Sequence, residues 1–210
     1  MSERRLLTTT TGEPYQPVRL SYSIPNRSHV LPRLRRFRCI EVDKKRGRAT
    51  IWLDAEARDL DLDPPPPQWE SFGQRIHLGA IRFPEGRAMS LQVRSIRRAI
   101  ELARMLRPQL GSKVELVRAR IVNRWFDGEE LTGEIDELDK ALDRDVTVID
   151  WEANDAELER ATAGASNIEE YLRLAEEHRA TRERQAVPMV EDFPMHPEDE
   201  NDEMSDLANV

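Results

Sequence analysis

RAMSLQV (87–93), RSIRRAIELARMLRPQL (94–110) and KVELVRARIVNRWF (113–126) decide how this chain folds. Met89, Leu91 and Val93 alternate with small or polar residues, the two-residue period of a strand. Ser95 stands where a helix N-cap belongs, because its hydroxyl can accept from an amide of the first turn. Ile96, Ala99, Ile100, Ala103, Leu106 and Leu110 then recur every three or four residues, along one face of a helix. Pro108 and Gly111 end that helix. From Val114 the alternation returns and runs to Phe126 as a second strand. Arg94, Arg97, Arg98, Arg104 and Arg107 fall mostly off the apolar face.

Upstream segments can add strands to the same sheet. VRLSYSI (18–24) alternates like a half-buried strand and is closed by Pro25-Asn26. Arg27 to Arg36 holds a short helical turn despite Pro32. Phe37–Val42 and Ala49–Leu53 flank DKKRG (43–47), a hairpin whose Gly47 can take positive φ. Residues 54–60 read as a short helix. Pro64 to Pro67 form an extended surface connector, with Trp69 and Phe72 pinning its far end. RIHLGAIRF (75–83) is a strand in which Gly79 marks a bulge or a close approach, and Pro84-Glu85-Gly86 is a turn.

Past Asp127 the chain turns acidic. Residues 134–142 are weakly helical, and VTVIDW (146–151) is a short edge strand. Asn154 with Glu157, and Ser166 with Glu169, are spaced as capping boxes opening two helices, with Gly164 between them. Ile168, Leu172 and Ala175 share one face of the second helix. From Gln185 onward there are eight acids, three prolines and no Lys or Arg, the composition of a disordered tail.

The expected class is α+β: a small, mostly antiparallel sheet with one main amphipathic helix on one face, plus an acidic helical C-terminal extension and a disordered tail. The expected parts are a flexible arm (1–16), a basic α+β domain (17–126), an acidic helical extension (127–185) and a disordered acidic tail (186–210). A chain of 210 residues can bury a core without disulfides or metal. Cys39, the single cysteine, cannot form an internal disulfide, which fits a reducing compartment. No run approaches the roughly 18 apolar residues of a membrane span. A cytoplasmic protein without a membrane partner is the expectation.

The strongest signal is the division of charge. Residues 1–126 hold 25 basic and 13 acidic side chains, a net of +12, while residues 127–210 hold 7 and 27, a net of −20. Halves of opposite sign suit a polyanion-binding part with an acidic appendage, or two parts that attract each other. Catalytic signatures are missing. His29, His77, His178 and His196 are scattered without metal-ligand spacing. Asp59, Asp61, Asp63 and Glu70 match calcium-loop positions, but Pro64 stands where the loop needs glycine. Neither a nucleophile elbow nor a glycine-rich phosphate loop occurs. The reading is a non-enzymatic protein with no catalytic residues, metal or cofactor.

A basic sheet-helix unit is therefore the candidate site for a polyanion, with nucleic acid foremost. Its candidate contacts are Arg35, Arg36, Arg38, Lys44, Lys45, Arg46, Arg48, Arg94, Arg97, Arg98, Arg118, Arg120 and Arg124. Phe37, Trp52 and Trp125 could stack bases beside them. On this reading the acidic C-terminal region modulates binding, as a solubilising tail, a polyanion mimic or a docking segment. The alternative is a protein-interaction or assembly subunit that docks a partner through its C-terminal helices and tail. Its arginines then serve internal ion pairs, and nucleic acid is not bound.

Overall fold

The computed structural model describes residues 7–43, 47–53, 60–62, 75–84, 86–124, 126, 140–183 and 188–195. The expected connector at Pro64–Pro67, the anchors Trp69 and Phe72, and the short helix over 54–59 lie outside these residues. Among the described residues eight strands join in one sheet: β1 (Val18–Ser23), β2 (Ile40–Asp43), β3 (Arg48–Trp52), β4 (His77–Arg82), β5 (Ala88–Val93), β6 (Glu115–Val122), β7 (Val146–Val148) and β8 (Val190–Pro194). Their order is β2-β3-β4-β5-β1-β6-β8-β7, and every pairing is antiparallel except β7 with β8. Among the described residues four whole helices accompany them, α1 (Arg27–Leu34), α2 (Ile96–Leu110), α3 (Trp151–Thr162) and α4 (Ile168–Glu183), and 140–142 are helical as well. The α+β class read from the sequence is the class of the structure.

Register explains the layering. Val42, Ala49, Ile81, Leu91, Leu20, Ala119 and Phe193 are successive cross-strand partners from β2 to β8. They build an apolar rung, because alternate residues of each strand project to the same side. Helix α2 lies against β5 and β1, and α1 packs on α2 and β2. Gly79 permits the approach: a Cβ there would stand 2.9 Å from the Gln92 carbonyl oxygen and from Val93 Cγ1, and 3.4 Å from Leu102 Cδ1. This is the close approach expected at that glycine. Gly47 turns the β2–β3 hairpin at φ 63°, as its position required.

Helix α2 is capped by Ser95, whose side chain accepts from the Arg98 amide. Its buried stripe differs from the expected one: Arg98, Ala99, Leu102, Leu106 and Leu110 face inward, and Ile100 is exposed. The i, i+4, i+8 row of Arg98, Leu102 and Leu106 carries the stripe, and an arginine at its head hid that from a hydropathy reading.

Three other expectations are corrected. Residues 7–16 are a packed segment, with Thr9, Thr11 and Glu13 buried, and Thr8 bridges Pro14. Residues 190–194, assigned to the disordered tail, form β8 between β6 and β7, with Val190 and Asp192 buried. One sheet therefore runs across the boundary drawn at residue 126. The C-terminal helices begin away from the expected caps: Asp150 accepts from the Ala153 amide, and Asn167 accepts from the Glu170 amide. Glu170, not the expected Glu169, accepts from the amide and hydroxyl of Ser166, the residue before the cap.

Candidate functional site

The sheet face opposite α2 is polar and rich in arginine. One rung runs Asp43, Arg48, Arg82, Ser90, Ser21 and Arg118 across six strands; the next runs Glu41, Thr50, Ala80, Gln92, Arg19, Arg120 and Asp192 across seven. Arg48 faces Arg82 and Arg19 faces Arg120 directly, like-charge pairings that cost stability unless anions lie between. For Arg19 and Arg120 the chain supplies those anions itself. Arg19 makes a two-pronged contact with Asp143, at 2.7 and 3.2 Å. Arg120 donates to Asp143 at 2.5 Å and, through its other terminal nitrogen, to Asp192 at 2.8 Å. Arg118 donates to the same Asp192 oxygen at 3.2 Å. Asp192 is 1% exposed, while half of the Arg118 side chain reaches solvent. The segment carrying Asp143 is held by Leu142, which joins Val122, Phe126 and Val190 in a second, smaller core.

The candidate contacts named from sequence do not all share this surface. Arg98 is 1% exposed and belongs to the core. Its guanidinium donates to the His77 carbonyl at 3.2 Å and to the Thr10 and Thr11 hydroxyls at 3.2 and 2.6 Å, with Glu13 at 3.5 Å. A polyanion cannot reach it in the folded protein. Burial pushes the Glu13 carboxyl up, but hydrogen bonds from Thr11 and Thr9 and the Arg98 charge outweigh this and hold it below the usual range. Arg97 pairs with Asp61 at 2.9 Å on the helix side. Arg94 sits at the β5–α2 junction, partly buried. Arg35, Arg36 and Arg38 lie exposed in the turn after α1. Arg124 lies over the Phe126 ring at 5.3 Å. Arg48, Arg118 and Arg120 do lie on the polar face, but Arg118 and Arg120 are matched by Asp192 and Asp143. Lys44, Lys45 and Arg46 fall outside the described residues, as does Trp125.

The aromatics are occupied as well. Trp52 carries the Arg75 guanidinium at 4.6 Å on its ring and donates to Glu41 at 3.2 Å. Phe37 packs on the main core. Sequence reasoning missed Arg19 and Arg82, although the alternation of VRLSYSI already set Arg19 apart from Val18 and Leu20. His77 is driven down to about 4, first by burial and then by the charges of Arg94 and Arg98. A cleft of about 230 Å³ opens between Gly12–Gln16 and Ser95–Arg97. Glu13 on its wall opposes an anion at the α2 N-terminus. Among the described residues no three His, Cys, Asp or Glu side chains gather as a metal would need, and no helix is long and apolar enough to cross a membrane.

The C-terminal helices present a different surface. They pack on each other, and Trp151 ties them to the sheet: its indole donates to the Pro194 carbonyl at 2.8 Å and its ring meets Phe193 at 5.7 Å. Ile168, Tyr171 and Leu172 stand at i, i+3 and i+4 on α4, exposed by 69%, 39% and 55%. No protein-family model, curated protein or solved structure matches the chain.

Proposed function

We propose that this is a non-enzymatic protein-interaction or assembly subunit, and that it docks a partner through the α3–α4 hairpin. The exposed triplet Ile168, Tyr171 and Leu172 carries this reading. Covering an aliphatic side chain of this kind contributes about 1.5–3 kcal/mol, so two such residues and an aromatic ring suffice for a centre of binding energy. The arginines favour the same conclusion, because Arg19, Arg118 and Arg120 serve ion pairs within the chain. The tail has a reduced part in this reading, as Val190 and Phe193 anchor β8 to the protein's own cores. A cytoplasmic setting fits the single, buried Cys39.

A photo-crosslinking amino acid in place of Tyr171, in the full chain inside its source cells, tests the reading. One specific crosslinked protein is expected, and Ile168→Ser with Leu172→Ser should abolish it. A crosslink that survives both substitutions, or none at all, overturns it.

The polyanion reading keeps one support, the exposed turn bearing Arg35, Arg36 and Arg38. Single-stranded oligonucleotide binding that weakens steeply with salt, and that is lost when the three are replaced by Ala, would establish it. Absence of binding at low salt removes it.

A further inference from the structure

The occupant of the α4 stripe follows from the charge around it. Trp151 to Glu183 holds nine acidic and four basic residues, a net of −5. Acids flank the apolar triplet on α4 itself: Glu169 lies beside it and Glu176 stands one turn beyond Leu172, both exposed. Arg173 within this turn is already paired with Glu177 at 2.6 Å. On α3, Glu152, Asp155, Glu157 and Glu159 are all exposed. A helical hairpin of this net charge rejects like charge and speeds the approach of opposite charge.

We infer that the stripe receives a basic amphipathic helix of another protein, with Leu-type side chains on Ile168, Tyr171 and Leu172 and Lys or Arg over the flanking acids. This rests on the docking reading above and specifies the partner's chemistry. A second copy using the same surface is disfavoured, because a symmetric pairing would set net −5 against net −5. An anionic membrane is disfavoured by the same sign. A bare polycation lacks the apolar side chains that the triplet requires. Helix recognition through residues at i, i+3 and i+4 is the matching geometry.

The test uses the full chain and three fluorescein-labelled synthetic helices, followed by fluorescence anisotropy. The first has Leu at i, i+3, i+4 and i+7 with Arg elsewhere; the second replaces Arg by Glu; the third replaces Leu by Ser. The Leu/Arg helix should bind at least tenfold more tightly than either of the others. Ile168→Ser with Leu172→Ser should cost at least tenfold. Ile100→Ser with Val117→Ser, at two exposed apolar positions elsewhere, should change affinity less than twofold. Equal binding of the Glu helix, or binding indifferent to Ile168→Ser with Leu172→Ser, overturns the inference. So does a dimer in sedimentation velocity that those two substitutions dissolve, although the docking reading would then survive with a second copy as occupant. A crosslinked partner at position 171 whose contact surface is acidic likewise removes only the partner assignment.

Discussion

Glu13→Gln removes one negative charge and almost no volume from the most enclosed ion pair among the described residues. Glu13 accepts from Thr9 and from Thr11 at 2.6 Å and stands 3.5 Å from Arg98 Nε. A glutamine can keep the threonine bonds through its carbonyl oxygen, so the change isolates the charge. The Arg98 guanidinium would then sit 1% exposed with only neutral acceptors at Thr10, Thr11 and His77. Breaking a buried pair on one side costs about 3–5 kcal/mol. The three remaining acceptors place the expectation near the lower end, about 3 kcal/mol. Arg98→Met in the same background should recover most of that loss, since a buried pair exchanged for an apolar group is often close to neutral. The coupling from the double-mutant cycle should therefore reach about 2 kcal/mol or more. Urea unfolding followed by tryptophan fluorescence measures all four proteins, provided the m-value is unchanged. The pH dependence gives a second readout. Glu13 is held below its usual range, so its contribution is present above the ordinary carboxylate pKa and disappears as pH falls through the folded value. Glu13→Gln should lack that acid limb. A loss under about 1 kcal/mol, or a cycle with no coupling, would refute the claim that residues 9–13 are clamped by Arg98.

Among the described residues the buried Tyr22 hydroxyl has no partner, and burial raises its pKa to about 12. Tyr22→Phe should raise stability by about 1 kcal/mol by deleting an unsatisfied polar group; a lower melting temperature would show a hidden partner. His77 titrates at about 4 folded against 6.5 unfolded, so stability should fall as pH drops from 6.5 toward 4, by about 3 kcal/mol at most. His77→Gln should flatten that part of the wild-type curve, and an unchanged slope in urea titrations would contradict the burial argument. Gly79→Ala should destabilise by about 1–3 kcal/mol, because the added methyl meets the Gln92 backbone and the Val93 side chain of β5; calorimetry showing no loss would mean that the β4–β5 pair is loosely seated.

Much of the sheet was readable because β1, β3, β5 and β6 each follow the two-residue alternation in sequence, even though β5 is buried on both faces. The central helix was readable from its spacing, but its rotation was not. Arg98 occupies a core position that hydropathy assigns to solvent, and the reason lies in the Thr9–Glu13 segment, which no local pattern connects to residue 98. β8 was missed for a similar cause. VEDFP sits in an acidic, proline-bearing stretch, and Asp192 looks solvated until β6 brings Arg118 and Arg120 to it. The sign of each half was visible in the sequence. That the two halves would satisfy each other on a single sheet face was not, since that follows from strand order. The apolar triplet of α4 was partly visible, as Ile168 and Leu172 were placed on one face; its exposure depends on the absence of a covering element among the described residues.

The β6–β8 seam imposes an order on synthesis. Asp192 leaves the ribosome 72 residues after Arg120, so the nascent sheet first exists with β6 as a raw edge, Arg120 matched by Asp143 alone and Arg118 still awaiting Asp192. Unpaired edges of this kind invite wrong pairing. Any delay in translating the stretch between them prolongs a state in which this strand waits for its last neighbour, and yield from expression should be governed there more than by the stability of the finished protein.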